Sequence, residues 1–483
     1  MSLVSSVWIS TGYSAPADDI DIQLPDDLDA LLSEEQAAPY SYGGYVKNET
    51  AYRFDEPRSF TKIRNILFLD GQYEFGNRAK FFSSGWVYYD LAYDFFKFET
   101  IAAREVRDEE EPLVFVEQLG DDRDDAGAEI REFYFDFYLK NLDVRIGKQH
   151  IIWGILEGIR VVDEVNPMDF RELILPELLD YRIPLWSLKL DYYRNSETYE
   201  LIWIPDLKFH QPAASGSEWE FFQILDTTSK PESFTPKFSE IGFKMARPLG
   251  GAEISLSYFF TWDDYPSTFR AISASEIEFN DPDTPLAILP TYSRLSMYGA
   301  TITKEVKGDI LKGEIAYVSG KYFAIDDVFD DEGFLLNDGE FKRDHIRWGI
   351  GYDFSLWGAD FSPAIAQWII LKYSEDILTD KYDTSLNLFI RKPLQRSSAV
   401  FTFLMIRLIN FQETYMKPKV VFNLTDRFQV AAGMDLFIGE RAQFGRAASE
   451  DDPGGLIDLG QRARFLGNFR DNRRIFLEFK YNF

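Results

Sequence analysis

The chain has 483 residues, no cysteine, a formal charge of −29 and a mean hydropathy of −0.25. Without cysteine there are no disulfides, thiolate metal sites, iron–sulfur clusters or covalently attached c-type haem, and the acidic balance argues against nucleic acid, whose binding needs a basic surface. Aromatic residues reach 16%, yet no run approaches the ~18 apolar residues of a membrane helix.

At the N-terminus, Leu3–Ile9 is a short apolar stretch and Ala15-Pro16-Ala17 a small-residue site, with no Lys or Arg before them. Residues 1–17 read as a signal peptide with a truncated start, the alternative being a disordered mature tail. Residues 18–40 read as an acidic periplasmic extension, with a short amphipathic stretch on Leu28, Leu31 and Leu32.

From Ser41 onward a period of two recurs, the signature of strands with two different faces. Phe133, Phe135 and Phe137 alternate with Glu132, Tyr134 and Asp136; Trp186, Leu188 and Leu190 with Ser187, Lys189 and Asp191; Ile241, Phe243 and Met245 with Glu240, Gly242 and Lys244. The pattern returns in 345–354, in 428–438 and in the last nine residues, where Ile475, Leu477, Phe479, Tyr481 and Phe483 are separated by Phe476, Glu478, Lys480 and Asn482. Each segment matches the roughly 9–11 residues of a tilted membrane strand.

The connections alternate too. Tight turns near Gly76-Asn77, Lys140-Asn141, Asn195-Ser196, Gly250-Gly251, Lys307-Gly308, Trp357-Gly358, Pro393-Leu394 and Thr425-Asp426 are separated by mostly long segments at 98–128, 153–183, 208–236, 264–292, 324–340, 374–381 and 439–469. Short and long links in strict order are the arrangement of a transmembrane antiparallel β-barrel, with short periplasmic turns and long extracellular loops. Eight short turns with both ends on that side require nine outward hairpins, hence about 18 strands over 41–483. The count drops to 16 if one of the short outward links at 56–60 and 411–414 is not a hairpin.

The strand phase turns Glu132, Asp136, Lys189, Asp191, Glu240, Lys244, Arg347, Asp353, Arg391, Lys419, Asp435, Glu478 and Lys480 inward. Lys or Arg on the lipid face would cost ~2–4 kcal/mol each at mid-bilayer. These residues are therefore expected to line a pore of mixed sign that screens solutes, or to form ladders that hold the wall together. The 153–183 segment is too apolar for an extracellular loop in water, with Ile155, Leu156, Val161, Val162, Leu173, Ile174 and Leu175. It is expected to fold inward as a constriction loop carrying Arg160, Asp163, Asn166, Asp169 and Glu172. The alternative is a packed turn at Asn166-Pro167 with carboxylates on local N–H groups.

Only His150, His210 and His345 are available as bases. No serine or second histidine sits beside them in the manner of an acyl-transfer or zinc site, so neither an enzyme nor a metal or other cofactor is expected. Acidic runs at 108–111, 121–125, 326–332 and 450–452 mark the long links. They suit a solvated surface that gathers divalent cations shared with lipopolysaccharide, and none has EF-hand spacing.

Two stretches are more specific. Glu132–Asp136 followed by Gly147-Lys148-Gln149-His150-Ile151-Ile152-Trp153-Gly154, together with Val162-Asp163-Glu164-Val165-Asn166-Pro167-Met168-Asp169-Phe170, resembles a broad proteobacterial family of uncharacterised outer-membrane barrels, distantly like alginate-export porins. The specific resemblance covers about 130–190 and the general barrel likeness 41–483. It implies an outer-membrane location, a genomic neighbourhood with RND-type exporters, and a C-terminal assembly signal at Tyr481 and Phe483 read by the barrel-assembly machinery. The expected function is a channel for small hydrophilic or amphipathic solutes. The alternatives are a sheath within a multi-protein conduit with a periplasmic or exporter partner and, last, an outer-membrane hydrolase.

Overall fold

The computed structural model describes residues 38–102, 126–213, 217–220, 230–270, 288–325, 336–394, 398–440 and 466–483. The expected signal peptide, residues 18–37 of the extension and all four acidic runs lie outside them. In chain order the strands are β1 (Tyr40–Arg53), β2 (Ser59–Phe75), β3 (Ala79–Asp90), β4 (Ala126–Leu139), β5 (Leu142–Gln149), β6 (Leu185–Arg194), β7 (Glu197–Ile204), β8 (Glu240–Leu249), β9 (Ala252–Trp262), β10 (Ser267–Arg270) and β11 (Ile288–Thr291). Then follow β12 (Arg294–Val306), β13 (Asp309–Ala324), β14 (Glu340–Leu356), β15 (Ala359–Ile370), β16 (Tyr382–Leu394), β17 (Ala399–Leu408), β18 (Glu413–Asn423), β19 (Phe428–Ile438) and β20 (Arg474–Asn482).

All but β10 and β11 form one 18-stranded sheet that closes on itself. Sequence neighbours pair antiparallel, β9 pairs with β12 across the inserted β10–β11 ribbon, and β20 pairs with β1 from Tyr45↔Asn482 to Arg53↔Arg474. Closure removes the unpaired edges that strands cannot expose to lipid. On the outer face Leu69, Val87, Ile130, Leu256, Ile315 and Ile350 are 48–57% exposed. An apolar belt that wide is untenable in water and fits hydrocarbon, so the chain is a transmembrane β-barrel.

Eight short turns lie on one rim and nine links on the other. Some turns are two residues long with both backbones left-handed, Gly250 (φ 61°) with Gly251 (φ 75°) and Lys307 (φ 57°) with Gly308 (φ 93°). That geometry matches the twist of a β-hairpin. Tyr40 pairs near the end of β2 and Asn482 near the start of β1, so both ends of the barrel reach the short-turn rim. The outward links near 56–60 and 411–414 are hairpins, at 54–58 and 409–412, which makes the count 18 rather than 16. The turn expected at Pro393-Leu394 falls later. Both residues stay in β16, opposite Val400 and Ala399, because an extended backbone accepts proline wherever its missing N–H is not needed by the ladder.

Inward and outward positions alternate as the phase implies. In β14, His345, Arg347, Gly349 and Gly351 are buried while Ile350 is exposed. Among the described residues the register shifts in β1–β2, β3–β4 and β13–β14, and the second of these bears on the lumen: the pairing of β3 with β4 slips between Ser84 and Gly85, leaving Arg131 as an extra residue in β4. Arg131 is buried and donates to the carbonyls of Leu179 (2.6 Å) and Arg182 (2.7 Å). The bulge thus aims a cation at the long link that follows β5.

Candidate functional site: a segment folded across the lumen

Residues 150–184, between β5 and β6, form a compact body inside the ring of strands. Its two ends are tied by Asn166, which accepts from the Ile151 N–H (2.8 Å) and donates to the Ile183 carbonyl (2.8 Å). The wholly buried Arg160 donates to the carbonyls of Asp163 (2.7 Å) and Asn166 (3.1 Å). Arg182, also wholly buried, holds the Asp163 carboxylate at 2.5 Å. Burial alone would raise the Asp163 carboxyl, but the charge and hydrogen bonds of Arg182, with Arg160 nearby, hold it below the usual range. The next long link buttresses this body. Gln211 exchanges backbone hydrogen bonds with Met168 (2.9 Å) and Phe170 (2.7 Å), and His210 Nδ1 accepts from the Met168 N–H (2.8 Å). Burial, then the positive charges of Arg160, Lys321 and Arg347, push His210 far below the usual imidazole value, which keeps it neutral and able to accept.

Against β6 to β15 the contact is mostly apolar, with ion pairs at Arg347–Glu164 and Lys312–Glu157. Ile151, Trp153, Leu156, Ile159, Val161 and Val162 pack on the inward side chains Ile202, Phe259, Met297, Ala316 and Val318. Strand glycines make the room. A Cβ at Gly349 would lie 2.6 Å from Leu156 Cδ1, one at Gly351 2.9 Å from Leu156 Cδ2, and one at Gly242 2.6 Å from Trp153 Cη2. Where backbone groups of the segment meet this wall, the wall supplies partners. The Glu314 carboxylate accepts the N–H groups of Ile155 (2.5 Å), Leu156 (2.8 Å) and Val162 (3.1 Å), and Glu200 accepts from Trp153 Nε1 (2.5 Å). Asn387 of β16 donates to the Gly158 carbonyl (2.8 Å), and Arg347 of β14 pairs with Glu164 (2.9 Å).

Against the opposite wall the contact is charged. Glu172 receives Lys62 (2.6 Å) and Arg64 of β2. Glu177 receives Lys419 (3.2 Å), which also pairs with Glu478 (2.9 Å), and Lys417 donates to the Leu175 carbonyl (2.6 Å). A second apolar cluster lies beside these pairs, with Phe170, Leu173, Ile174 and Leu175 against Leu404, Ile406, Tyr415 and Phe437. The segment therefore bridges the lumen from wall to wall.

The inward charges read from sequence sit as follows. Asp136 is bound by Arg145 (2.6 and 2.9 Å), Lys189 by Asp191 (2.9 Å), Asp353 by Lys312 (2.6 Å), Asp435 by Arg474 (2.8 Å) and Arg391 by Asp360 (3.6 Å). Glu132 accepts from the His150 N–H (3.3 Å), Glu240 from Thr261 (2.5 Å), Lys244 faces Glu200 in register, and Lys480 lies over the Tyr45 ring (4.1 Å). Among the segment residues, Arg160 and Asp163 were expected to face a channel, with a packed turn at Asn166-Pro167 as the alternative. Both are instead buried, like Asn166, and hold the segment's own backbone and charges together, because buried polar groups need partners. Asp169 pairs with Arg171 (2.5 Å), and Glu172 is the member that reaches the wall. Tyr481 and Phe483 are 44% and 49% exposed on the outside. His150 Nε2 lies 3.1 Å from the Arg182 carbonyl, and His345 Nε2 accepts from Arg347 Nε (3.0 Å). Among the described residues no group of three or more His, Asp or Glu is placed to hold a metal ion.

Sequence reading missed Lys62, Arg64, Lys417, Arg474, Glu177 and Glu314. It also missed the apolar inner wall, whose signal is visible in runs such as Leu201-Ile202-Trp203-Ile204 and Phe403-Leu404-Met405-Ile406. Strands apolar on both faces must be covered on both.

Closed ring, lipid-facing belt and lumen-filling segment together define a porin-like transmembrane barrel. Residues 53–367 match the family described as "Protein of unknown function (DUF1302)", and the chain belongs to that family. No curated protein sequence matches it. Among solved structures the chain is similar to OccK9 (OpdG) of Pseudomonas aeruginosa, at 9% identity and a TM-score of 0.49, over 92% of this chain and 98% of that one. A BenF-like porin from Pseudomonas fluorescens Pf-5 stands at 8% identity and 0.49, and OpdK of Pseudomonas aeruginosa, solved with vanillate, at 7% and 0.48, each over 92% of this chain and 98% of the other.

Proposed function

We propose that the protein is a non-catalytic outer-membrane channel for small hydrophilic or amphipathic solutes, with 150–184 as the element that sets the size and state of the pore. The observation that carries this reading is the wall-to-wall placement of the segment, held on both sides by apolar clusters and by ion pairs to the strands. A solute path needs groups that can exchange partners with water, and the ion pairs of Glu172 and Glu177 supply them. In this reading the short-turn rim faces the periplasm and the long links the cell surface. The barrel stands in outer-membrane lipid and lipopolysaccharide, and Tyr481 and Phe483 are read by the barrel-assembly machinery. An exporter partner, implied by the family resemblance, would meet the periplasmic rim. The deciding test is planar-bilayer conductance of the purified barrel with and without residues 157–178. Deletion is expected to raise single-channel conductance several-fold, and equal conductance would sink the assignment of the segment.

A further inference from the structure

On the outer face, strands β1 to β4 enclose a trough of about 650 Å³. Its floor is built from small residues at outward positions, Gly71 of β2, Ser83 and Gly85 of β3 and Ala128 of β4. Leu67, Leu69, Val87 and Ile130 stand along its sides, 40–55% exposed. At one floor position the backbone itself excludes bulk. The β3–β4 register slips between Ser84 and Gly85, and a Cβ at Gly85 would lie 2.8 Å from the Glu129 carbonyl oxygen. Toward the short-turn rim stand Tyr40, Tyr42 and Tyr73, where Tyr40 pairs with Tyr73 and Tyr42 with Gly71. Beyond them Arg78 lies exposed in the turn from β2 to β3 and forms no ion pair with a described carboxylate. We propose that the trough binds one acyl chain of a phospholipid, with the phosphate held at the short-turn rim by Arg78. The proposal rests on the transmembrane class of the barrel and not on the channel reading.

Place, dimensions and polarity each select that occupant. The trough lies in the belt that faces hydrocarbon, so a hydrocarbon chain is its neighbour, and an unfilled trough would forfeit the dispersion contacts of every group lining it. It runs from Leu67 to Tyr73 along β2 and from Phe81 to Val87 along β3, roughly 20 Å of strand at ~3.3 Å per residue. At a tilt of about 45° that becomes ~14 Å of depth, one leaflet of a core ~30 Å thick. The floor positions of β2 and β3 are one strand spacing apart, ~4.8 Å, which admits a chain and excludes the belt of a second barrel. The polar end fits a headgroup. Tyrosine rings settle at the headgroup level of membranes, and a guanidinium meets phosphate with charge-assisted hydrogen bonds.

The test uses the full-length barrel, exchanged into detergent and incubated with palmitoyl-oleoyl phosphatidylglycerol, with native mass spectrometry counting what stays bound. One lipid per barrel is expected. Gly71→Leu and Ser83→Leu fill the floor from two different strands, and a Cβ at Gly71 would meet nothing nearer than 3.7 Å. Either substitution is expected to lower the retained fraction at least fivefold. Arg78→Gln is expected to weaken retention of this lipid about tenfold, the loss of one charged hydrogen bond, and to leave retention of dioleoylglycerol, which has the chains without the phosphate, unchanged. Heat-modifiable mobility on gels identifies which variants fold, and one folded filling variant suffices. A barrel that retains no lipid, or equal retention in the folded filling variants, overturns the site. A two-chain mass that the same substitutions abolish gives the trough to a second copy and overturns it as well. Equal loss of both lipids in Arg78→Gln overturns the placement of the phosphate.

Discussion

The two walls that hold residues 150–184 do so by different physics. Along β6 to β15 the segment is held by shape, with Leu156 seated over Gly349 and Gly351 and Trp153 over Gly242. At β2 and β18 it is held by ion pairs to Glu172 and Glu177, beside the apolar cluster of Ile174 and Leu175 with Leu404 and Ile406. Water does not substitute for packed apolar surface, which is stabilised by ~25 cal/mol per Å² buried. Ion pairs, by contrast, can separate into water, where each charge recovers the hydration it gave up on burial. The apolar wall is therefore an anchor and the charged wall a latch, and a segment built this way swings from one side rather than leaving as a whole.

The comparison breaks most severely at the staple inside the anchor. Arg182→Ala leaves Asp163 buried without its partner, a loss of ~3–5 kcal/mol. Limited proteolysis is expected to nick 150–184 in that variant while the strands stay intact. Leu156→Ala opens a cavity on the apolar wall and costs ~2–5 kcal/mol, and Gly349→Val overfills the same place for ~1–3 kcal/mol. Both are expected to add flicker and substate currents to single-channel records. The charged wall is expected to respond more weakly to truncation. Glu172→Gln removes charge from two wall cations for about 1–2 kcal/mol, raising open probability without exposing the segment to protease. If Glu172→Gln instead proves as disruptive to proteolysis as Leu156→Ala, the division into anchor and latch fails.

The smallest expected effect is on pH. Burial would raise the Glu172 carboxyl, but the charges of Arg64 and Lys62 bring it down to about 2. A depressed folded pKa contributes stability that is complete above the ordinary glutamate value and lost as pH falls through the folded one. Open probability is therefore expected to be flat between pH 8 and 5 with respect to this latch, and to rise as pH falls from about 4.5 toward 2. Recording the same titration on Glu172→Gln, which has nothing there to titrate, is expected to abolish the acid limb.

Much of the barrel was legible residue by residue. The alternation in 132–139 and 345–354 and the two-residue turns at Gly250-Gly251 and Lys307-Gly308 give strands, rims and parity, because pleat and hairpin twist are local properties. The turn after β16 was misplaced by a few residues, since Pro393 looks like a stop signal but sits at a position where the ladder tolerates it. The apolarity of 153–183 pointed to an inward fold. Which of its residues touch the wall was not legible: Arg160 and Asp163 look like candidates to face a pore, yet they bind Arg182 and the backbone around them.

The sequence by itself determined a closed antiparallel barrel with an apolar outside and a polar phase within, because each of those follows from periodicities of two and from turn chemistry a few residues long. Only the tertiary structure decided where the lumen is apolar and where it is charged, and that Glu172 and Glu177 answer cations more than 100 positions away. Such pairings depend on ring closure and on how deep one segment descends, and neither leaves a local pattern in the chain.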